Sequence, residues 1–156
     1  MKKIRIGIAD TTFARINMGE IAANAVKKSG ESVEIIRRTL PGVKDLPVAC
    51  KKMIEEEGCE SVIACGWVGR QEIDKTCAHE AALGIIYAQL LTNKHILGAF
   101  VFENEAKNER ELIELAEDRV SKHALNAINI ALHPEKLAEN AGKGLRQGSK
   151  HAGTLR

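Results

Sequence analysis

The stretch Ser61-Val62-Ile63-Ala64-Cys65-Gly66-Trp67-Val68-Gly69-Arg70-Gln71-Glu72-Ile73-Asp74 decides the fold of this chain. Its first half is an uninterrupted apolar run, the mark of a strand buried on both faces. Gly66 reads as the break, after which a polar loop carries Arg70, Glu72 and Asp74. A helix-like segment follows, over about residues 76–91. A strand, a loop and a helix in that order form the unit of an α/β sheet. Ligands of such sheets bind in loops at the carboxyl ends of the strands. Trp67, the only tryptophan, stands at that strand end beside two glycines. Two roles are open to it: covering a flat ligand, or packing in the core or an interface.

Working outward, the same unit repeats. Residues 4–9 read as a first strand, with residues 10–15 as the loop at its carboxyl end. A helix over residues 17–29 puts Ile21, Ala22, Ala25 and Val26 on one face and stops at Gly30. Residues 33–38 form a β-branched second strand. The turn Leu40-Pro41-Gly42-Val43-Lys44-Asp45-Leu46-Pro47 follows, with Gly42 read as able to take positive φ. A short helix over 48–57 closes at Gly58. Residues 96–102 give a fourth strand, and 109–132 a long helix ended by Pro134. The pattern predicts a flavodoxin-like three-layer α/β/α sandwich on a four-stranded parallel sheet, with right-handed crossovers. Residues 1–137 make the single domain. Residues 138–156 form a basic, Gly-rich tail, expected to be mobile and solvated.

Composition narrows the function classes. The chain has 156 residues and a net charge of +2, so no strong polyanion partner is indicated. The tail carries Lys143, Arg146, Lys150 and Arg156 but no aromatic to stack on a base, so no nucleic-acid partner is expected. No apolar run spans a bilayer and no signal-peptide pattern opens the chain, so a cytoplasmic protein without a membrane partner is expected. Cys50, Cys59, Cys65 and Cys77 show no Cys-x-x-Cys pair and no histidine at ligand spacing, which argues against zinc. Cys65 and Cys77 fall near the strand-end loop, but no histidine partner for a catalytic thiol is evident. The glycine-rich phosphate-binding devices are absent.

Five pieces, in order, resemble one family. The turn Leu40-Pro41-Gly42-Val43-Lys44-Asp45-Leu46-Pro47 resembles the Pro-Gly-x-x-Glu-hydrophobic-Pro motif of lumazine synthases, with Asp45 for the glutamate. Ala64-Cys65-Gly66-Trp67-Val68 resembles the segment that cups their pyrimidine ring, and Glu80-Ala81-Ala82-Leu83-Gly84-Ile85 the helix after it. His95-Ile96-Leu97-Gly98 resembles the strand a neighbouring subunit lends to the pocket, and Thr12-Phe13 the ring-stacking aromatic after strand one. The departures are as informative. The loop at Gly69-Arg70-Gln71-Glu72-Ile73-Asp74 is shorter and lacks the histidine of lumazine synthases. Near Glu114, where they hold phosphate with an arginine, this chain is acidic, and a carboxylate repels phosphate. With its tail included, the chain resembles the archaeal-type riboflavin synthases, relatives of lumazine synthase.

That resemblance implies a reaction and a set of roles. Two molecules of 6,7-dimethyl-8-ribityllumazine, both bound at one site, dismutate by four-carbon transfer to riboflavin and a ribitylamino-pyrimidinedione. No cofactor is required by this chemistry; magnesium remains open, without a ligand motif. Thr12 and Phe13 would meet a lumazine ring, and Val43, Lys44 and Asp45 the ribityl chain, although Asp45 also fits a helix cap. Gly66, Trp67 and Val68 would meet the pyrimidine ring. Glu72, Asp74 and His79 are the acid–base candidates, each with a plain solvated alternative. Leu97, Phe100 and Phe102 would line a partner's pocket, and Arg119 and Lys122 would reach it from the last helix. The family implies a homopentamer with sites between subunits. Lumazine synthase itself, or a non-catalytic flavin- or lumazine-binding oligomer, are the competing readings.

Overall fold

A computed structural model describes residues 2–156. The elements alternate as expected: β1 (Ile4–Thr11), α1 (Met18–Lys28), β2 (Val33–Leu40), α2 (Leu46–Glu55), β3 (Cys59–Val68), α3 (Glu72–Thr92), β4 (His95–Phe102), α4 (Glu109–Leu132) and α5 (Pro134–Glu139). Single 3-10 turns at Val43–Asp45 and Glu103–Glu105 precede α2 and follow β4. All pairings are parallel and the strand order is β2-β1-β3-β4. One core layer joins the sheet to α1 and α4 through Ile6, Ile8, Val26, Ile63, Trp67, Val101 and Val120. The other joins it to α2 and α3 through Ala9, Leu46, Met53, Val62, Ile85 and Ile96. The three-layer α/β/α sandwich is therefore present.

Helix ends follow local chemistry. Asn17 caps α1 by accepting from the Glu20 backbone N–H, and Asn108 caps α4 by accepting from that of Glu111. Gly30 and Gly58, just past α1 and α2, take the left-handed φ of 77° and 71° that ends a helix.

Three local expectations change. β3 does not break at Gly66 but runs to Val68, because Gly66, Trp67 and Val68 stay in register with Phe100, Val101 and Phe102 of β4. In consequence α3 begins at Glu72, so Glu72 and Asp74 lie in its first turn rather than in a loop. There the Gln71 N–H donates to the Asp74 carboxylate at 3.1 Å, which ties down the first turn. Gly42 is extended, with φ of −155°, so its turn needs no left-handed residue. The tail is also not wholly free: the Gly148 N–H donates to Asp118 at 2.8 Å, and Arg119 Nε donates to the Gln147 carbonyl at 3.0 Å.

Candidate active site

The sheet splits at its carboxyl end. β1 and β3 pair only as far as Ala9 and Ala64. Beyond that point β1 continues with β2 to Thr11 and Leu40, and β3 continues with β4 to Val68 and Phe102. This is also where the strand order reverses, the position at which open α/β sheets bind ligands.

At that end a cleft of about 270 Å³ is lined by Phe13, Gly42, Val43, Lys44, Asp45, Trp67, Asp74 and Cys77. The segments after β1, β2 and β3 each supply a wall. Phe13 is 53% exposed, unusual for a phenylalanine without a ligand or partner to cover it. Asp45 precedes α2 but makes no capping bond with its side chain, which leaves the carboxylate free to accept hydroxyl hydrogen bonds. Lys44 pairs with Glu80 at 3.1 Å, and that bond pushes its pKa up, so it stays cationic. Asp74 borders the cleft while accepting from the Gln71 N–H at 3.1 Å.

Trp67 does not cover the cleft with its ring. The indole is 2% exposed and belongs to the α1–α4 core, so only the strand end borders the cleft. Its Nε1–H donates to Glu103 Oε1 at 2.9 Å. Gly66 and Val68 are buried in β3 and line no part of the cleft. Thr12 is exposed beside Phe13, and its hydroxyl donates to the Pro41 carbonyl at 3.4 Å.

The remaining candidates lie elsewhere. Glu72 is 90% exposed and pairs with Lys75 at 2.9 Å, one turn on, in solvent. His79, Phe100 and Phe102 line a second groove, of about 540 Å³, between α3 and the edge strand β4. Leu97 does not join them. It packs on the opposite core layer, since odd-numbered residues of β4 face α4. Arg119 and Lys122 sit on α4, across the sheet from the cleft. Arg119 is 11% exposed and donates to both Glu105 oxygens, at 2.6 and 2.9 Å, and to the Phe100 carbonyl at 2.9 Å. Lys122 pairs with Asp118 at 2.9 Å. Glu114, the acidic position noted above, pairs with Arg110 and lines a separate groove with Glu105, Glu111 and Asp118. Among the described residues, no three of His, Cys, Asp and Glu gather as a metal ligand set.

Two residues were not among the expected site residues. Gly42 lines the cleft, and Glu103 anchors the Trp67 indole. Glu103 is the first acid after the apolar run of β4, at a strand's carboxyl end, which was the available signal.

The chain matches the model of the 6,7-dimethyl-8-ribityllumazine synthase family over residues 3–135. It is 55% identical to the riboflavin synthase of Methanothermobacter thermautotrophicus over 152 residues, which cover 97% of this chain and 99% of that protein. The riboflavin synthase of Archaeoglobus fulgidus is 44% identical over the same shares of both chains. The 6,7-dimethyl-8-ribityllumazine synthase of the same organism is 34% identical over 102 residues, 62% of this chain and 70% of that one. With a family match across most of its length, and relatives named riboflavin synthase across nearly all of it, this chain belongs to the 6,7-dimethyl-8-ribityllumazine synthase family.

Proposed function

We propose that this chain is a riboflavin synthase of the archaeal type. It transfers a four-carbon unit between two 6,7-dimethyl-8-ribityllumazine molecules and releases riboflavin and 5-amino-6-ribitylamino-pyrimidinedione. The observation that carries this is the near-full-length identity to riboflavin synthases, against a weaker and shorter match to a lumazine synthase. The acidic Glu114 region adds to it, since neither substrate of the dismutation carries phosphate.

The chemistry asks little of side chains. The 7-methyl protons of the lumazine are acidic because the anion delocalises into the ring. The two products together contain the atoms of the two substrates, so the reaction consumes no oxidant or reductant. The protein's main task is to hold two flat rings in reacting order, and positioning of that kind supplies most of the acceleration. Phe13 supports stacking of one ring, and Val43, Lys44 and Asp45 the ribityl chain. Asp74, at the cleft wall, is the acid–base candidate this geometry favours over Glu72.

The assembly is part of the proposal. A cleft of about 270 Å³ falls below the roughly 300–1,000 Å³ of ligand pockets, and two lumazines need more room than one chain offers. Leu83, Ile86, Tyr87, Leu90 and Leu91 form an exposed stripe along α3, beside the edge strand β4. A homopentamer that seats this face on a neighbour, bringing His79, Phe100 and Phe102 toward the neighbour's cleft, accounts for both. The cytoplasm fits four unpaired cysteines. No described helix is long and apolar enough to cross a membrane.

The test is to supply purified protein with 6,7-dimethyl-8-ribityllumazine alone and follow riboflavin by absorbance. Formation well above a protein-free control supports the reading. No formation, with and without magnesium, overturns it. Lumazine formation from the phosphorylated four-carbon ketone, or flavin binding without turnover, would then identify the competing reading.

A further inference from the structure

Glu103 follows β4, and its side chain is only 13% exposed. Its carboxylate nonetheless accepts two hydrogen bonds from other strand ends and faces a second arginine. The Trp67 indole N–H, at the end of β3, donates at 2.9 Å. Arg15 Nη1, in the segment after β1 that carries Phe13, donates at 3.1 Å. Arg70 Nε, in the turn from β3 to α3, stands 3.9 Å away. The indole hydrogen bond, and after it Arg15, holds the Glu103 pKa below the usual carboxylate range, so the group is ionised near neutral pH.

The placement matters because of the split in the sheet. Past Ala9 and Ala64 no ladder bond joins β1 to β3. Among the described residues, no backbone hydrogen bond links residues 12–17 to residues 69–71. The Thr12 N–H instead bonds the Leu40 carbonyl of β2, on its own side of the split. The Arg15–Glu103–Trp67 chain is therefore the polar tie across the opening. On one bank stands Phe13, on the other the end of β3 and Asp74.

We propose that Glu103 is a positioning residue of the riboflavin-forming site: through Arg15, Arg70 and Trp67 it fixes the spacing between the Phe13 bank and the β3 bank of the cleft. It touches no substrate itself. This rests on the function proposed above. Because charge-assisted hydrogen bonds are stronger and more directional than neutral ones, neutralising Glu103 loosens the tie without emptying the site.

The experiment uses Glu103→Gln, Glu103→Ala and Arg15→Gln in the full chain, with steady-state riboflavin formation and the signals of the sole tryptophan. The amide oxygen of Glu103→Gln can still accept from the indole, so Trp67 emission and melting temperature should stay near wild type. KM should rise about tenfold while kcat changes less than about threefold, the split expected when binding geometry is lost. Arg15→Gln should raise KM similarly, and the double variant should add little, because both remove one tie. Unchanged KM in Glu103→Gln, or fully additive effects, would overturn the proposal. A wild-type chain that forms no riboflavin overturns the underlying reading instead. The ligand-free indole N–H resonance then still decides the tie: if Arg15→Gln and Glu103→Ala leave it unmoved, Glu103 does not hold these banks.

Discussion

Gly66 of β3 lies directly opposite Phe100 of β4, and a Cβ on Gly66 would stand 2.8 Å from the Phe100 ring. The ring thus occupies the space a side chain would take. Its own outer side lines the groove between α3 and β4. Gly66→Ala should therefore overpack this contact and cost about 1–3 kcal/mol. In a Phe100→Leu background the same change should cost less, because a smaller side chain yields the space. Urea denaturation of the four proteins in the cycle measures the coupling. Equal costs in both backgrounds would remove the ring as the reason for glycine.

Phe13 tests the cleft itself. At 53% exposed it contributes little to the core, so Phe13→Ala should leave the unfolding free energy within about 0.5 kcal/mol. Loss of a stacked ring should lower kcat/KM by about twofold to tenfold, as expected for an aromatic pair worth about 0.5–1.5 kcal/mol. Phe13→Tyr should retain most activity. Gly42→Ala is a companion, since its Cβ would meet no protein atom within 4 Å and its φ suits any residue. A raised KM with unchanged stability is the expected result. Wild-type kinetics in both alanine variants would put the substrate elsewhere.

Asp74 and Glu72 should separate cleanly. Asp74→Ala removes the carboxylate that accepts from the Gln71 N–H at the start of α3 and should cost about 0.5–2 kcal/mol of stability. If Asp74 also moves a proton, Asp74→Asn should lower kcat on the order of a hundredfold, with a smaller loss of stability. Glu72→Ala, at a solvated ion pair, should change neither quantity. Stability curves paired with kcat for the three variants give the answer, and a fully active Asp74→Asn would leave Asp74 as a cap alone.

These residues also show what was legible in advance. The α/β/α order could be read because each strand is a short apolar run and each helix carries its own stop, such as Gly30 or Pro134. The cleft's walls could be read where a motif sat in one continuous turn, as with Val43, Lys44 and Asp45. The direction of single side chains could not. Trp67 faces the core and not the ligand because β3 runs two residues further than its glycine suggested, which also carried Glu72 and Asp74 onto a helix. Leu97 and Phe100 separate by strand parity, and Arg119 is taken by Glu105, fourteen residues upstream, a pairing no local pattern announces. Glu103 reaches the ends of two other strands, β1 and β3, and such convergence exists only once the sheet is formed.

The stripe on α3 predicts assembly. Leu83, Ile86, Tyr87, Leu90 and Leu91 recur at three- and four-residue spacing and remain between 46% and 74% exposed. A Leu90→Glu substitution places a charge in the middle of that face. It should shift the protein toward smaller species in analytical ultracentrifugation and lower riboflavin formation with them, the result expected of the proposed assembly, in which the groove bearing Phe100 meets a neighbouring cleft. An unchanged sedimentation profile would show that this face is not the contact.

His123 gives the pH test. It lies on α4 with Nδ1 buried and unpartnered, and burial first, then the charge of Arg119, holds its pKa below the usual imidazole value. The folded state therefore resists protonation that the unfolded chain accepts near pH 6.5. Between the two values the unfolded state binds more protons, so stability falls as pH drops below about 6.5 and levels off below the folded-state pKa. Above about pH 7 the histidine contributes no slope. Comparing unfolding free energies of wild type and His123→Gln between about pH 7.5 and pH 5 isolates the effect from other titrating groups. The wild type should lose more stability than the variant across that window. Parallel curves would mean that the imidazole takes its proton as readily in the fold as out of it.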